Sequence, residues 1–177
     1  MGEIRRAVIE RHERLELVGI AEPSDATRQR IVADCPVAAD WRELLDETAP
    51  EVVFVATPNR FIPDITVEAL RRGIHVFCEK PPGRTLADVA QMRDAEAAAA
   101  APKLMFGFNH RFHPGIVKAK VLVDSGRLGR VVGVRGIYGK SGGVNFRTSW
   151  RNDKEMSGGG ILLDQGIHML DLFRYFC

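Results

Sequence analysis

The chain contains a short apolar run that ends abruptly in a charged pair and a proline. Residues 74–78 read Ile-His-Val-Phe-Cys, and Glu79, Lys80 and Pro81 follow directly. Branched and aromatic residues favour a β-strand, whereas proline cannot continue the hydrogen-bonded ladder. The run therefore predicts a strand that presents Glu79 and Lys80 at its carboxyl end, the edge where open α/β sheets bind ligands. An ordinary ion pair at the surface end of a strand is the alternative interpretation.

Strand-like and helix-like segments alternate through the first two-thirds of the chain. Strands are predicted at 15–21, 52–56, 74–78 and 103–108, and helices at 24–33, 39–47, 62–72 and 85–101. This alternation predicts an α/β fold with a doubly wound parallel sheet. Beyond Arg111 the pattern changes to a helix that ends near residue 125, an alternating strand at 131–138 and a loop at 139–143.

A second informative segment, residues 158–171, begins with three consecutive glycines. Consecutive glycines allow a backbone to approach a ligand closely. Asp164 and His168 are four residues apart and share one face if a helix runs through them. Histidine exchanges protons near neutral pH, and a neighbouring carboxylate can orient it or bias it electrostatically. An ordinary acid–histidine pair on an amphipathic helix is the alternative.

Four stretches resemble, in order and approximate spacing, the oxidoreductase family named after glucose–fructose oxidoreductase, inositol dehydrogenase and the rhizopine-catabolism protein (Gfo/Idh/MocA). They are residues 52–59, 73–81, 107–112 and 158–171. The resemblance implies an NAD(P)-dependent oxidoreductase that transfers a hydride between a nicotinamide cofactor and a hydroxyl or carbonyl of a sugar, nucleotide sugar or cyclitol. It implies a Rossmann-type domain in residues 1–109 and, in residues 110–177, the start of an α+β domain with an antiparallel sheet. A homo-oligomer of the full-length protein is also implied.

The resemblance places the catalytic chemistry on Lys80, Asp164 and His168. His168 would accept the proton of a substrate hydroxyl, and Lys80 would stabilise the developing alkoxide. Asp164 would orient His168 or bind an adjacent hydroxyl. Substrate contacts are expected from Asp164, His168, Arg111 and Arg151, although Arg111 could instead be a structural ion-pair partner.

Cofactor contacts are expected along the carboxyl edge of the predicted sheet, from Glu22, Thr57, Asn59, Glu79, Lys80 and Asn109. Glu22 ends a strand where an acidic side chain can bind the ribose hydroxyls. This favours NAD, because the 2′-phosphate of NADP would meet a carboxylate; NADP stays possible. A solvated glutamate is the alternative for Glu22, and plain turn chemistry is the alternative for Thr57 and Asn59.

Composition excludes several other classes of function. The net charge of +2, from 25 basic and 23 acidic residues, gives no electrostatic basis for binding nucleic acid or an anionic membrane. No apolar stretch is long enough to span a bilayer. Three cysteines without a Cys-x-x-Cys spacing predict no disulfide framework and a reducing, cytoplasmic compartment.

The remaining histidines and cysteines predict no metal site. The spacing of His110, His113 and His168 does not define a set of metal ligands. His75, inside an apolar run, is expected to be a buried and hydrogen-bonded histidine. Cys78 is expected to be a small packed side chain.

The beginning of the chain raises a further expectation. Residues 1–10 read as a helix, whereas a dinucleotide-binding unit begins with a strand and a Gly-x-Gly-x-x-Gly turn. Only Gly2 could represent the last glycine of that turn. We therefore expect a fragment of a longer protein that lacks the first Rossmann strand and most of the C-terminal domain. Two alternatives stay open: a non-catalytic dinucleotide-binding, nucleotide-sugar-binding or scaffold protein of the same fold, and an inactive truncated fragment.

Overall fold

The computed structural model describes residues 1–139 and 149–177. Its helices are α1 (Gly2–Arg11), α2 (Asp25–Arg28), α3 (Trp41–Thr48), α4 (Ile62–Arg71), α5 (Leu86–Ala98), α6 (Pro114–Asp124), α7 (Lys154–Ser157) and α8 (Ile167–Phe176). Its strands are β1 (Ile20–Ala21), β2 (Val37–Ala38), β3 (Val52–Val55), β4 (His75–Cys78) and β5 (Leu104–Phe106). Short 3₁₀ turns lie at Asn59–Phe61, Asn109–Phe112 and Trp150–Asn152.

The strands form two separate parallel sheets. One has the order β3-β4-β5, and the other pairs β1 with β2. Val55 lies opposite Cys78, which in turn lies opposite Phe106, so the carboxyl ends of these three strands meet at one edge. The alternation of strands and helices thus produces the predicted parallel α/β architecture.

The main core lies where α4 packs against α5 and against strands β3 and β4. Its fully buried members include Ile62, Ala69 and Leu70 of α4, Cys78 of β4 and Met92 of α5. Burial raises the pKa of the Cys78 thiol to about 12. Cys78 is therefore a packed side chain, as predicted.

Several element boundaries follow the local signals in the sequence. The Ser24 hydroxyl accepts a hydrogen bond from the backbone N–H of Thr27 at the start of α2, and the Asp40 carboxylate caps α3. Gly73 follows α4 with φ of 79°, the left-handed conformation that ends many helices. Each of these residues marks the predicted start or end of its helix.

Other predicted elements are shorter or absent. Strand β1 covers two residues where seven were predicted, and α2 ends at Arg28 where a helix to residue 33 was predicted. The predicted strand at 131–138 is wrong, because that stretch pairs with no strand among the described residues; Val132 within it is 90% exposed. Of the predicted loop at 139–143, residues 140–143 lie outside the described residues.

Burial differs in two places from what the sequence favours. The unbroken apolar run of β3 is typical of a buried parallel strand, but Val52 is 38% exposed and only Val55 in this strand is buried. His75, the first residue of β4, is exposed rather than buried as predicted. Its Nδ1 atom accepts a hydrogen bond from the backbone N–H of Lys103, at 3.0 Å.

Within the two described ranges, no helix combines the length and the apolarity that crossing a membrane requires. The same residues contain no cluster of three or more histidine, cysteine or acidic side chains placed to hold a metal ion.

Candidate active site

The end of β4 fixes the position of the Glu79-Lys80-Pro81 turn. The backbone N–H of Glu79 donates to the carbonyl of Val55 at 2.9 Å, so the sheet pairing extends to the residue before Lys80. Pro81 is fully buried, and its peptide bond with Lys80 is cis. The hydrogen bond of Glu79 and the burial of Pro81 therefore hold the backbone of Lys80 in place on both sides.

Glu79 forms an internal ion pair that the sequence did not reveal. Its carboxylate is buried and accepts a hydrogen bond from Nε of Arg5, in α1, at 2.7 Å. The Arg5 guanidinium also lies 4.7 Å from the centre of the Phe77 ring. Glu79 thus joins α1 to the turn that carries Lys80. Its contact with a cofactor stays a prediction.

Lys80 and Asp164 are brought together from distant parts of the chain. Lys80 Nζ donates to Asp164 Oδ1 at 3.0 Å and to the Asp164 carbonyl at 2.5 Å. The other carboxylate oxygen, Oδ2, accepts from Gln165 Nε2 at 3.0 Å and lies 3.5 Å from Nε of Arg151. Burial acts to raise the pKa of Asp164, but Lys80, Gln165 and Arg151 outweigh it and lower the pKa below its ordinary value.

The backbone around Asp164 differs from the predicted helix. Residues Leu162–Gly166 form a π-helical turn, and α8 continues from Ile167. Such wide turns are rare and are frequent at functional sites. In the described part of the chain no hydrogen bond joins Asp164 to His168, because the Asp164 carboxylate binds Lys80 and Gln165 instead. Asp164 therefore biases His168 by charge alone and does not orient it by a hydrogen bond.

His168 lies at the centre of a cluster of aromatic rings. It is 4% exposed, and its Nδ1 atom is buried without a hydrogen-bond partner among the described residues. The ring of His110 stacks on it at 4.1 Å between centroids. Burial, followed by the charges of His110 and Lys80, lowers the pKa of His168 to about 4. His168 is therefore neutral at physiological pH, the form that can accept a proton.

The two predicted substrate arginines have different environments. Arg111 donates from Nε to Asp171 Oδ2 at 2.8 Å and forms a second bond with Oδ1. It thus forms the ion pair of the alternative interpretation, and its contact with a substrate stays a prediction. Arg151 instead lies beside Asp164, with its guanidinium 4.5 Å from the centre of the Trp150 ring. Only Arg151 joins the Lys80–Asp164 pair.

The first glycine of the triplet approaches protein rather than open space. Gly158 has φ of 80°, and a Cβ atom there would lie 2.8 Å from the Cα atom of Arg84. Arg84 Nη1 in turn donates to the carbonyl of Glu155 at 2.6 Å. The glycine therefore allows the segment after Pro81 to pack against the segment that leads to Asp164.

The predicted cofactor residues divide between the two sheets. Thr57 and Asn59 follow β3, and Asn109 follows β5, so these residues share the edge that carries Lys80. Asn59 is buried and its Nδ2 atom donates to the carbonyl of Ser157 at 2.8 Å, so its contact with a cofactor stays a prediction. Glu22 follows β1 in the other sheet, where its Oε1 atom accepts from the N–H of Ser24.

The residues at this edge suit a dinucleotide. Asn109 is exposed, and its side-chain amide makes no hydrogen bond within the described residues. Within the described residues, the Thr57 hydroxyl binds the adjacent Pro58 carbonyl alone, at 3.2 Å. Amide and hydroxyl groups with unused hydrogen-bonding capacity can hold the ribose and amide groups of such a cofactor.

Two family models match the chain. Residues 2–108 match the model described as oxidoreductase family, NAD-binding Rossmann fold, and residues 116–177 match the Gfo/Idh/MocA C-terminal domain. The predicted Rossmann-type fold is thereby confirmed.

Two curated relatives of the chain are dehydrogenases. The chain is 36% identical over 139 residues to levoglucosan dehydrogenase of Pseudarthrobacter phenanthrenivorans, covering 77% of this chain and 35% of that protein. It is 35% identical over 164 residues to D-glucoside 3-dehydrogenase of Escherichia coli, covering 91% of this chain and 46% of that protein. The chain thus spans less than half the length of these relatives.

A solved structure shows the same architecture. Levoglucosan dehydrogenase in complex with NADH and levoglucosan superposes with a TM-score of 0.81 at 33% identity, covering 90% of this chain and 44% of that one. With both family models matched in order along the sequence, the chain belongs to the Gfo/Idh/MocA family of oxidoreductases.

Proposed function

We propose that the protein containing this chain is an NAD(P)-dependent oxidoreductase that transfers a hydride between the cofactor and a hydroxyl or carbonyl group of a sugar, nucleotide sugar or cyclitol. One observation carries the proposal: Lys80 is bound to Asp164 beside a buried, neutral His168. The dehydrogenase relatives, which are named for sugars, support it.

Each of the three residues has a distinct role in alcohol oxidation. His168 accepts the hydroxyl proton on a ring nitrogen, because its lowered pKa keeps it neutral. Lys80 Nζ stabilises the negative charge that develops on the same oxygen. Asp164 holds Lys80 in place and offers its carboxylate, with Arg151 alongside, to a neighbouring hydroxyl of the substrate.

A substrate with several hydroxyl groups suits this arrangement. One hydroxyl reacts between Lys80 and His168, while a second meets the carboxylate of Asp164. Sugars and cyclitols carry such adjacent hydroxyls. In the reverse direction His168 returns the proton and Lys80 polarises the carbonyl.

The nicotinamide cofactor, when bound, supplies the two-electron redox chemistry. We assign its contacts to Glu22, Thr57, Asn59, Glu79, Lys80 and Asn109. Glu22 favours NAD over NADP, because its carboxylate repels a 2′-phosphate.

Three further predictions concern the full-length protein. They are a boundary between the two domains near residue 109, a homo-oligomeric state and a cytoplasmic location.

The test is a substrate screen with the purified full-length protein. Levoglucosan, glucosides, inositols and nucleotide sugars would each be incubated with NAD or NADP, and formation of the reduced cofactor followed by absorbance. We expect turnover with at least one polyhydroxylated substrate and faster turnover with NAD. Binding of NADH, seen by fluorescence, without turnover on any member would favour the non-catalytic alternative and overturn the proposal.

A further inference from the structure

The ring of His168 is bounded by three other aromatic rings. His110, in the 3₁₀ turn Asn109–Phe112, stacks nearly parallel to it, with an interplanar angle of 16° and 4.1 Å between centroids. Tyr138 meets both histidine rings edge-on, at 5.1 Å from His110 and 6.0 Å from His168. Phe108 approaches His168 edge-on at 6.3 Å. The face of His168 that His110 covers is therefore closed to water.

We propose that His110 is a positioning residue for His168, whose imidazole it holds in plane by stacking and shields from water. The inference rests on the function proposed above, in which His168 exchanges a proton with the substrate. His110 contacts neither Lys80 nor Asp164 by a hydrogen bond in the described part of the chain, so it acts through His168.

Stacking replaces the hydrogen bond that usually orients a proton-exchanging histidine. In most such sites a carboxylate or carbonyl accepts from one ring nitrogen and thereby fixes the ring. Here Nδ1 of His168 has no partner among the described residues, and the two carboxylates that act on His168 bind other groups, Asp164 to Lys80 and Asp171 to Arg111. Ring contacts therefore fix the ring plane, and among the described residues His110 makes the stacked one.

The electrostatic surroundings give His110 a second effect. The titratable groups that act on His168 or contact its ring in the described residues are His110, Lys80, Asp164, Asp171 and Tyr138. Burial lowers the pKa of His168 most, the charges of His110 and Lys80 lower it further, and the two carboxylates oppose them. The pKa of His110 is itself lowered, chiefly by burial and then by Lys80. Removing the His110 ring would therefore raise the pKa of His168.

The first experiment measures the ionisation of His168 without relying on turnover. Imidazole C–H resonances of the full-length protein would be titrated by NMR in the wild type, His110→Phe and His110→Ala. The His168→Gln variant identifies the resonance that belongs to His168. His75→Ala, at the opposite end of β4 from Lys80, is the matched control. We expect the pKa of His168 to rise slightly in His110→Phe, which keeps a ring, and by roughly one unit in His110→Ala. An unchanged His168 titration in both variants would overturn the proposal.

The second experiment separates positioning from simple support of the fold. At a pH where His168 is neutral in every variant, we expect kcat to stay within about threefold in His110→Phe and to fall about tenfold in His110→Ala, with KM little changed. The acid limb of the kcat profile should move to higher pH in both variants. If kcat instead falls by the same factor at every pH, and the fall matches the loss of folded protein, His110 has a structural role and the proposal is wrong.

The two readouts also distinguish this inference from the proposed function. Absence of turnover in the wild type on every substrate would contradict the proposed function, while the NMR titration would still decide whether His110 controls His168. If His110→Ala does not fold, His110→Phe supplies the decisive titration. An unmoved His168 signal in that variant would then refute the proposal.

Discussion

At the scale of single residues, the Asp164 carboxylate determines how the site is assembled. One of its oxygens binds Lys80, and the other binds Gln165 and lies near Arg151. A charge-assisted bond of this kind is both stronger and more directional than a neutral one. The position of Lys80 Nζ therefore depends on the negative charge of a residue 84 positions away in the sequence.

Replacing Asp164 by asparagine tests this dependence. Asp164→Asn keeps the size of the side chain but removes the charge that holds Lys80, so we expect kcat to fall about 10- to 100-fold in the full-length protein. Steady-state kinetics would measure it, with the exposed Asp94→Asn on α5 as the control. Turnover equal to that of the wild type would show that Lys80 does not need this partner.

The ionisation of His168 predicts how stability changes with pH. Its pKa in the folded chain, about 4, lies below the ordinary 6.5, so the unfolded chain binds a proton that the folded chain does not. Stability should therefore fall as pH decreases from 6.5 towards 4, by roughly 3 kcal/mol from this group.

Urea unfolding of His168→Gln across this pH range would isolate that contribution. The difference in unfolding free energy between wild type and variant should shrink as the pH falls. A constant difference would mean that His168 is protonated normally in the folded protein.

At the scale of elements, the two segments that form the site are held together by close backbone packing. Gly158 adopts φ of 80° against Arg84, and the Asn59 amide donates to the carbonyl of Ser157. Both contacts join the edge of the β3-β4-β5 sheet to the segment around α7. The separation between Lys80 and Asp164 is fixed by these contacts as well as by their own hydrogen bond.

Gly158→Ala should disrupt this packing. The variant combines an unfavourable positive φ with a clash against the Arg84 backbone, so we expect a loss of roughly 1–3 kcal/mol in unfolding free energy. Gly160→Ala is the matched control, because a Cβ atom there would meet nothing within 4 Å. Denaturant unfolding should separate the two variants, and equal stabilities would show that the segments can move apart at little cost.

Local signals in the sequence predicted elements well where they act through neighbouring residues. The helix boundaries at Ser24, Asp40 and Gly73 depend only on nearby backbone groups, and each lies at or within one residue of the predicted bound. The predicted strand at 131–138 failed because an alternating pattern forms a strand only when another strand lies beside it. The shortening of β1 has the same origin, since β2 pairs with only two of its residues.

Motifs predicted three residues of the candidate site but not the long-range contacts around it. Lys80, Asp164 and His168 were predicted from short motifs, and the structure brings Lys80 and Asp164 into contact. The Arg5–Glu79 pair and the stacking of His110 on His168 could not be predicted, because they join residues 74 and 58 positions apart. Only the three-dimensional path of the chain determines such pairs. The π-helical turn at Asp164 likewise has no simple sequence signal.

At the scale of the whole molecule, apolar surface and unpaired strand edges are exposed together. The two parallel sheets do not pair with each other among the described residues. Val132 and Ile137 are 90% and 86% exposed, and Leu128 is 66% exposed. Exposed apolar side chains and open strand edges both promote association between chains.

The isolated 177-residue chain should therefore self-associate. We expect light scattering after size-exclusion chromatography to show species larger than a monomer, with a fraction that grows with concentration. Weak NADH affinity should accompany it, because the chain contains no Gly-x-Gly-x-x-Gly turn to hold the pyrophosphate. A monomer at all concentrations that binds NADH with micromolar affinity would contradict this expectation.

The role of Lys80 in turnover is the most direct test of the proposed chemistry. Lys80→Met in the full-length protein keeps the length of the side chain and removes the ammonium that we propose stabilises the reacting oxygen. We predict that kcat with the best substrate falls at least about 10²- to 10³-fold, while the dissociation constant for NADH changes by no more than a few fold. Turnover close to that of the wild type, with NADH binding intact, would show that Lys80 does not carry the chemistry.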